Sequence, residues 1–358
     1  MQAAVLDGPH RFRMEERPLP PLRPGWARIR VEAAGICGSD IHFYTGELPV
    51  EPGSVRGHEV AGTIAEPGDT GLAAGQAVVV HPLVGCGQCD ACRRGQRQLC
   101  VALTAIGGQH PGGFAEYTAA PVPSLYPFDP GRLSFRHAAL ADCVAVAMHA
   151  VNVAGLGAGE SAVILGDGAI GLLLLQAALA RGAHPVIVVG KHELNLQLAR
   201  QLGASLAFAA NAQDPLATVR GAAGAVDAVF EAVGGPAPPL GTGLRMLRKG
   251  GRLATLGLTG ATGVPIPWFD VVLGELALAG VMGYGTFQGQ DEMQQALDWM
   301  QSGTVLLEPL ITHLVPLHQI GAGFEAILNR GSNPCIKVVV LPQAASGEGT
   351  GAVRPAGR

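Results

Sequence analysis

Two groups of side chains in the N-terminal part of the chain could bind metal ions. The first group is Cys37, His58 and Glu59, which offer a thiolate, an imidazole and a carboxylate. Zinc accepts all three ligand types, and a catalytic zinc keeps one further position open for water or substrate. Ser39 and His42 follow the cysteine closely and could carry a proton away from a bound substrate. Taken alone, the same residues also fit a buried cysteine beside a surface histidine.

The second group has the spacing C-x2-C-x2-C-x7-C, which is the most specific motif in the chain, and its members are Cys86, Cys89, Cys92 and Cys100. Four thiolates at this spacing predict a closed, tetrahedral structural zinc site with no open position. Arginines inside the loop add positive charge that favours the thiolate form, at Arg93, Arg94 and Arg97. Two disulfides or an iron–sulfur cluster are the alternatives for such a motif.

A glycine-rich motif, G-x-G-x-x-G at residues 166–171, directly follows a short apolar strand predicted at residues 162–165. Such a motif is weak evidence by itself, but between a strand and a predicted helix it is typical of a dinucleotide-binding βαβ unit. The backbone there can approach a pyrophosphate, and the helix N-terminus offers unpaired N–H groups. The residues predicted to contact the cofactor are Gly166, Gly168, Ile170 and Gly171. A simple glycine-rich turn is the alternative.

Composition excludes several classes of protein. Hydrophobic residues make up 48% of the 358 residues and charged residues only 15%, which is typical of a compact enzyme and not of a disordered chain. The formal net charge of −4 gives no reason to expect nucleic acid or a membrane surface as a partner. The longest apolar stretch, near residues 169–180, is too short to span a bilayer. Clustered cysteines and the absence of a signal peptide predict a cytoplasmic protein.

The predicted elements divide the chain into two domains and a tail. Short apolar segments separated by glycine and proline predict a barrel-like β domain, with strands at 2–6, 26–34, 60–65, 76–81 and 112–117. Strands and helices alternate after residue 162, which predicts an α/β unit with a doubly wound parallel sheet. The predicted domains are residues 1–147 with 284–342, residues 148–283, and a disordered tail at residues 343–358.

With these motifs in this order, residues 1–342 resemble the zinc-dependent medium-chain dehydrogenases of the alcohol dehydrogenase superfamily. The motifs that carry the resemblance are the four-cysteine loop and residues 35–42, 57–62, 113–117, 166–171 and 306–312. The polyol (sorbitol) and threonine dehydrogenase branch is the more similar, because Glu59 follows His58 and residues 138–151 match its linker. The resemblance implies a GroES-like β-barrel catalytic domain with a zinc lobe at residues 86–100, a Rossmann domain, and a homo-dimer or homo-tetramer.

Three positions depart from the pattern of that branch. Asp142 stands where the polyol enzymes usually have a glutamate, and the next two linker residues differ as well. We expect Asp142 near the catalytic zinc, with Glu59 as the more direct ligand because the aspartate is one methylene shorter; helix capping is the alternative role for Asp142. His81 is not at the spacing of the histidine that bears on substrate choice in threonine dehydrogenases.

The third departure concerns the cofactor. The second predicted strand of the Rossmann unit, residues 185–189, runs directly into Gly190, Lys191 and His192, where NAD-dependent enzymes usually carry an acidic residue. Glycine would leave space for the extra phosphate of NADP, and Lys191 and His192 could pair with it. We therefore predict a preference for NADP over NAD, which Gly190→Asp should reverse. NAD is the alternative cofactor, because Glu193 could reach the ribose if the loop folds back.

The predicted activity is hydride transfer between an alcohol, polyol or sugar-like, and NADP or NAD, with zinc at both metal sites. The resemblance implies that the proton leaves through Ser39 and then His42. Two alternatives are a zinc-independent enone or quinone reductase on the same scaffold and a non-catalytic nucleotide-binding sensor. Retention of Cys37 and His58 argues against both.

Overall fold

The computed structural model describes residues 1–260, 263–330 and 334–344. The chain separates into two compact units, the first formed by Met1–Asp142 with Tyr284–Arg358 and the second by Cys143–Gly283. The first boundary, between Asp142 and Cys143, lies inside the helix Ala141–Val153. Residues 345–358 of the predicted tail lie outside the described residues. No helix in the described ranges is long and apolar enough to cross a membrane.

The N-terminal segment of the first unit is built mainly from short strands. These are β1 (Gln2–Gly8), β2 (Arg11–Glu16), β3 (Trp26–Gly35), β4 (Ser54–Val55), β5 (Glu59–Glu66), β6 (Ala77–Val80), β7 (Leu83–Val84), β8 (Thr104–Ala105), β9 (Tyr117–Pro121) and β10 (Leu125–Pro127). The helices are α1 (Gly38–Tyr44), α2 (Asp90–Arg93) and α3 (Phe135–Ala138), with 3₁₀ turns at Arg97–Leu99 and Val122–Ser124, and α4 (Ala141–Val153) begins in this unit and continues into the second.

The second unit alternates strands and helices, as the sequence predicts. Its elements are β11 (Ala162–Leu165), α5 (Ala169–Ala180), β12 (Val186–Gly190), α6 (Glu193–Gln201), β13 (Leu206–Ala209), α7 (Pro215–Ala223), β14 (Val226–Glu231), α8 (Leu240–Met246), β15 (Leu247–Thr255), α9 (Trp268–Leu273) and β16 (Ala277–Gly280). The strands are parallel and run in the order β13-β12-β11-β14-β15-β16. This order defines a doubly wound, Rossmann-type sheet, which confirms the predicted fold class.

The chain then returns to the first unit. The returning elements are β17 (Thr286–Phe287), β18 (Gln290–Asp291), α10 (Glu292–Ser302), β19 (Ile311–Pro316), α11 (Ile320–Leu328) and β20 (Lys337–Leu341), with 3₁₀ turns at Glu308–Leu310 and Leu317–Gln319. The main sheet of this unit has the order β10-β6-β5-β3-β20-β19, and β9 also pairs with β3. A strand near the end of the described chain therefore lies beside β3 in the middle of the sheet.

One predicted strand is misplaced. The sequence predicts a strand at residues 112–117, but the strand β9 begins only at Tyr117. The preceding residues instead bond to the loop before β5: Gly113 donates to the Gly57 carbonyl at 2.7 Å and Phe114 to the Arg56 carbonyl at 3.0 Å. Gly57 has φ +90°, and a β-carbon there would lie 2.5 Å from Cδ1 of Phe114. This packing fixes the backbone immediately before His58.

Candidate active site and cofactor site

Antiparallel strand pairing brings the first metal-binding group together. Gly35, the last residue of β3, pairs with Glu59, the first residue of β5. Cys37 therefore follows one strand while His58 precedes the other, at the same end of the pair. The ligand atoms of Cys37, His58 and Glu59 lie within 4.8 Å of one another. Sequence spacing alone could not show this convergence.

The electrostatics of this group favour a cation. Burial opposes a positive charge on His58, but the Cys37 thiolate and the Asp40 carboxylate outweigh it and raise the pKa of His58 well above its usual range. Asp40 is 1% exposed, and it also accepts the N–H of Cys37 at 3.1 Å. A thiolate and an imidazole in such negative surroundings fit a zinc ion.

Glu59 has a second partner that the sequence does not reveal. Lys337, at the start of β20, places its Nζ 2.6 Å from Oε1 and 2.5 Å from Oε2 of Glu59. The same ammonium donates to the Ile36 carbonyl at 2.9 Å. Both side chains of this ion pair are buried. A metal ion held by Cys37 and His58 would therefore compete with Lys337 for the Glu59 carboxylate.

Asp142 lies near this group but has its own partner. It is the second residue of α4, is buried, and accepts the hydroxyl of Tyr284 at 2.8 Å. Burial raises the pKa of Asp142, partly offset by the charge of His58. Its carboxylate is not among the atoms that converge within 4.8 Å. Ligation by Asp142 stays a prediction, and Tyr284 is a contact that sequence reasoning missed.

The ring of His81 packs against the ring of Tyr284. The two ring centroids are 4.4 Å apart, and burial lowers the pKa of His81 to about 3. His81 is therefore neutral at ordinary pH. It packs against the tyrosine whose hydroxyl donates to Asp142.

The predicted proton relay lies on α1. Ser39 and His42 are three residues apart on this helix, so they share one face. Nδ1 of His42 is 2.6 Å from a carboxylate oxygen of Glu47, whose side chain is 59% exposed. Glu47 extends the relay toward solvent, and its position five residues beyond His42 was the only sequence signal for it.

The four cysteines also converge, with sulfur atoms within 4.8 Å of one another. Cys89 Sγ and Cys100 Sγ are 3.8 Å apart. A tetrahedron with Zn–S bonds of about 2.3 Å has edges of about 3.8 Å, whereas a disulfide would require about 2.05 Å. The amides of Cys86 and Ala102 point at the Cys100 sulfur at 3.2 and 3.3 Å. This geometry fits one zinc ion and not a pair of disulfides.

Amide hydrogen bonds also prepare a second sulfur of this lobe for a metal. The backbone N–H of Cys92 is the main cause that lowers the pKa of Cys89 to about 6. Burial has the opposite effect on Cys92 and raises the pKa of its thiol to about 11. A bound metal ion would stabilise the thiolate form that burial of Cys92 disfavours.

Replacement of Cys92 by serine should consequently lower thermal stability, because the ion supplies folding energy that the short loop cannot obtain from an apolar core. We expect the Tm to fall by several degrees and zinc content to fall by one ion per chain, while KM values change little. Differential scanning fluorimetry, metal analysis and steady-state kinetics provide the test. A Cys92→Ser protein with full zinc content and unchanged melting would contradict a structural metal at this lobe.

In the second unit, the glycine motif lies at the carboxyl end of β11. Gly166 has φ +120°, and Gly168 precedes the first residue of α5. A β-carbon on Gly171 would overlap the Gly166 carbonyl, so only glycine permits this helix–strand distance. Ile170, in the first turn of α5, is half-buried. The turn directs the N-terminal N–H groups of α5 toward a site that suits a pyrophosphate.

The end of β12 differs from the prediction in one respect. The space beside Gly190 is filled: a β-carbon there would lie 2.5 Å from Cγ and 2.6 Å from Oδ2 of Asp167. The interpretation that this glycine leaves room for a phosphate is therefore wrong. Lys191 is exposed and His192 is partly exposed before α6, and their pairing with a phosphate stays a prediction. The sequence analysis gave Asp167 no role, because it occupies an unspecified position of the G-x-G-x-x-G motif.

Two family models match the chain. Residues 23–130 match the alcohol dehydrogenase GroES-like domain, and residues 169–302 match the zinc-binding dehydrogenase domain. Sorbitol dehydrogenase from Bacillus subtilis is 32% identical over 351 residues, covering 96% of this chain and 97% of that protein. L-Threonine 3-dehydrogenase from Bacillus velezensis is 32% identical over 338 residues, covering 92% and 95%.

A solved structure from Sinorhizobium meliloti, assigned as a zinc-binding dehydrogenase and bound to NADP, is similar as well. It has a TM-score of 0.83 and 30% identity, and the match covers 95% of this chain and 99% of that chain. The chain therefore belongs to the zinc-dependent medium-chain dehydrogenases, in the branch of the polyol and threonine enzymes. This confirms the predicted family, its fold and its activity as a zinc-dependent alcohol oxidoreductase that acts on a small-molecule alcohol.

Proposed function

We propose that the protein reversibly oxidises a hydroxyl group of a polyol or sugar-like molecule and prefers NADP over NAD. The convergence of Cys37, His58 and Glu59 beside a buried, negatively charged cluster is the observation that carries the catalytic part. The names of its relatives support the substrate class, because they include a sorbitol and a threonine dehydrogenase. The NADP-bound relative supports the cofactor class.

The residues of the first unit account for the proton transfer. Zinc at Cys37 and His58, when bound, supplies the Lewis acidity that lowers the pKa of an alcohol hydroxyl. Ser39 accepts the hydroxyl proton as its own proton passes to His42, and His42 in turn gives a proton from Nδ1 to Glu47 at the surface. Lys337 neutralises Glu59, so that the buried carboxylate does not repel a developing alkoxide. Tyr284 orients Asp142 by donating its hydroxyl proton.

The residues of the second unit hold the cofactor. Gly166 and Gly168 form the turn before α5, and Ile170 lies in the first turn of this helix, whose N–H groups bind the pyrophosphate. Lys191 is exposed, and its ammonium makes no ion pair with any residue in the described part of the chain. This free charge suits the 2′-phosphate of NADP.

A substrate panel tests the proposed reaction. Polyols, sugars, amino alcohols and simple alcohols are assayed with each cofactor, and the highest kcat/KM is expected for a polyol with NADP. Lys191→Ala should raise the KM for NADP by at least about tenfold and leave that for NAD nearly unchanged, because a charge-assisted hydrogen bond contributes about 1.5–3 kcal/mol. A higher kcat/KM with NAD for the unmodified enzyme would refute the cofactor preference. Absence of turnover on the whole panel would favour the nucleotide-binding sensor.

The protein also has a surface that fits a second copy of the chain. β16 is the last strand of its sheet and pairs only with β15 among the described strands. Large apolar side chains around it are exposed, among them Trp268 at 67%, Phe269 at 74% and Leu278 at 42%. An unpaired edge can join an identical edge across a two-fold axis, which continues the sheet. We propose a homo-dimer formed through β16, with a homo-tetramer as a further assembly.

The double substitution Phe269→Glu with Leu278→Glu should disrupt this dimer, because it places like charges on both edges of a two-fold contact. Light scattering after size exclusion should give a mass near the chain mass of 36.6 kDa for the variant and about twice that or more for the unmodified protein. Leu306→Glu, an exposed leucine of the first unit, is the matched control. An unmodified protein that is monomeric at micromolar concentration would refute the interface.

We also propose a cytoplasmic location. The four-cysteine lobe requires thiolates, and a reducing compartment preserves them. Expression of a fluorescent fusion, with fractionation and zinc analysis, tests this location.

A further inference from the structure

Asp167, inside the glycine motif, makes contacts that reach the end of the neighbouring strand. Its Oδ2 accepts the N–H of Lys191 at 3.0 Å and the N–H of His192 at 2.7 Å. Nδ1 of the His192 ring lies 3.2 Å from both carboxylate oxygens. The Asn195 side chain donates to the Asp167 carbonyl at 2.9 Å. Asp167 therefore accepts hydrogen bonds from both residues that connect β12 to α6, Lys191 and His192.

The carboxylate of Asp167 is engaged inside the protein. The side chain is 8% exposed, and its oxygens already receive two amides and face an imidazole. Gly190 packs directly against it, because a side chain at that position would overlap Asp167. Asp167 thus lies beside the strand end at which NAD-dependent Rossmann enzymes carry an acidic side chain, and its carboxylate accepts hydrogen bonds from the loop.

We propose that Asp167 is a positioning residue for cofactor selection: it fixes the Lys191–His192 backbone so that Lys191 faces the 2′-phosphate of the dinucleotide. This inference rests on the proposed preference for NADP. Fixing the loop before binding reduces the entropy that Lys191 must lose when it pairs with the phosphate. Asp167 acts by accepting hydrogen bonds, so its acceptor oxygen matters and its charge does not.

Two fragments of the cofactor, one with and one without the 2′-phosphate, measure recognition of that phosphate without a catalytic reaction. Isothermal titration of the zinc-loaded protein with 2′,5′-ADP and with 5′-AMP measures recognition of the ribose end alone. Asp167→Ala should weaken 2′,5′-ADP binding by about tenfold or more and 5′-AMP binding much less, because the loop that carries Lys191 is released. Asp167→Asn keeps an acceptor oxygen and should retain or increase the affinity for 2′,5′-ADP.

Asp214→Asn is the matched control, because it removes one negative charge from the same unit while an asparagine still caps α7. It should change neither fragment affinity. An unchanged ratio of the two affinities in Asp167→Ala would overturn the positioning role. If Asp167→Asn weakened 2′,5′-ADP binding as much as Asp167→Ala, the positioning role would also be overturned. The negative charge of Asp167, and not its acceptor oxygen, would then determine binding. A preference of the unmodified protein for 5′-AMP would instead refute the proposed NADP preference.

The contact with Gly190 gives a second, independent test. Gly190→Asp places two carboxylates in contact and should weaken both fragments by at least about tenfold, instead of reversing the preference. The double substitution Asp167→Gly with Gly190→Asp moves the carboxylate to the strand end and should restore 5′-AMP binding but not 2′,5′-ADP binding. Additive effects of the two substitutions would show that the residues are not coupled and would overturn the proposal.

Discussion

Replacement of Cys37 by alanine is expected to lower kcat/KM for alcohol oxidation by about a thousandfold or more. Cys37 is one of three side chains whose ligand atoms converge, and the Lewis acidity of a zinc ion held there would contribute several kcal/mol to the transition state. Zinc content should fall by one ion per chain while the ion of the four-cysteine lobe stays. Metal analysis and steady-state kinetics on the same preparation measure both effects.

Cys335→Ala is the control for Cys37→Ala, because Cys335 is a buried free cysteine of the same unit outside both metal-binding groups. It should keep full zinc content and activity, with only a modest loss of stability from the deleted sulfur atom. A Cys37→Ala protein that retains both zinc and activity would show that the catalytic metal lies elsewhere.

Lys337→Met is expected to destabilise the protein by about 3–5 kcal/mol, because it leaves the Glu59 carboxylate buried without its positive partner. Glu59 is 0% and Lys337 is 4% exposed, so water cannot replace the lost ammonium group. Denaturant-induced unfolding of the zinc-loaded protein, with near-UV circular dichroism as the signal, gives the change in free energy.

The double variant Glu59→Gln with Lys337→Met separates the ion pair from packing. It removes both charges, so it should recover part of the stability lost in Lys337→Met. Arg13→Met, which removes an exposed arginine, should change stability by less than about 1 kcal/mol. If Lys337→Met unfolds at the same denaturant concentration as the unmodified protein, the pair does not stabilise the unit.

Local patterns made much of the fold predictable. The strand before the glycine motif, predicted at residues 162–165, is found at Ala162–Leu165. The next strand, predicted at 185–189, is Val186–Gly190. Buried parallel strands appear as continuous apolar runs bounded by turn residues, so their limits can be read without tertiary information. The group of Cys37, His58 and Glu59 and the four-cysteine motif were recognisable for a similar reason, since metal chemistry restricts residue type and spacing.

Contacts between distant parts of the chain could not be predicted in this way. Lys337 lies 278 residues from Glu59, and Tyr284 lies 142 residues from Asp142. Only the pairing of β20 with β3 brings Lys337 to the site, and no local pattern specifies that pairing. A single lysine in an otherwise apolar strand was the available signal for a buried partner. Asp167 was missed because the glycine motif specifies only its glycines.

The position of β20 beside β3 also determines the order in which the protein can be completed during synthesis. The second unit is one continuous segment and can close its sheet as soon as Gly283 has been made. The first unit cannot complete its main sheet at that point, because β20 follows the second unit in the chain. At about 5–20 residues per second, the 278 residues between Glu59 and Lys337 leave the nascent carboxylate without its lysine for roughly 14–56 s. Cys37, His58 and Glu59 are therefore made before the second unit, yet the sheet beside them is completed only after the whole second unit has been made.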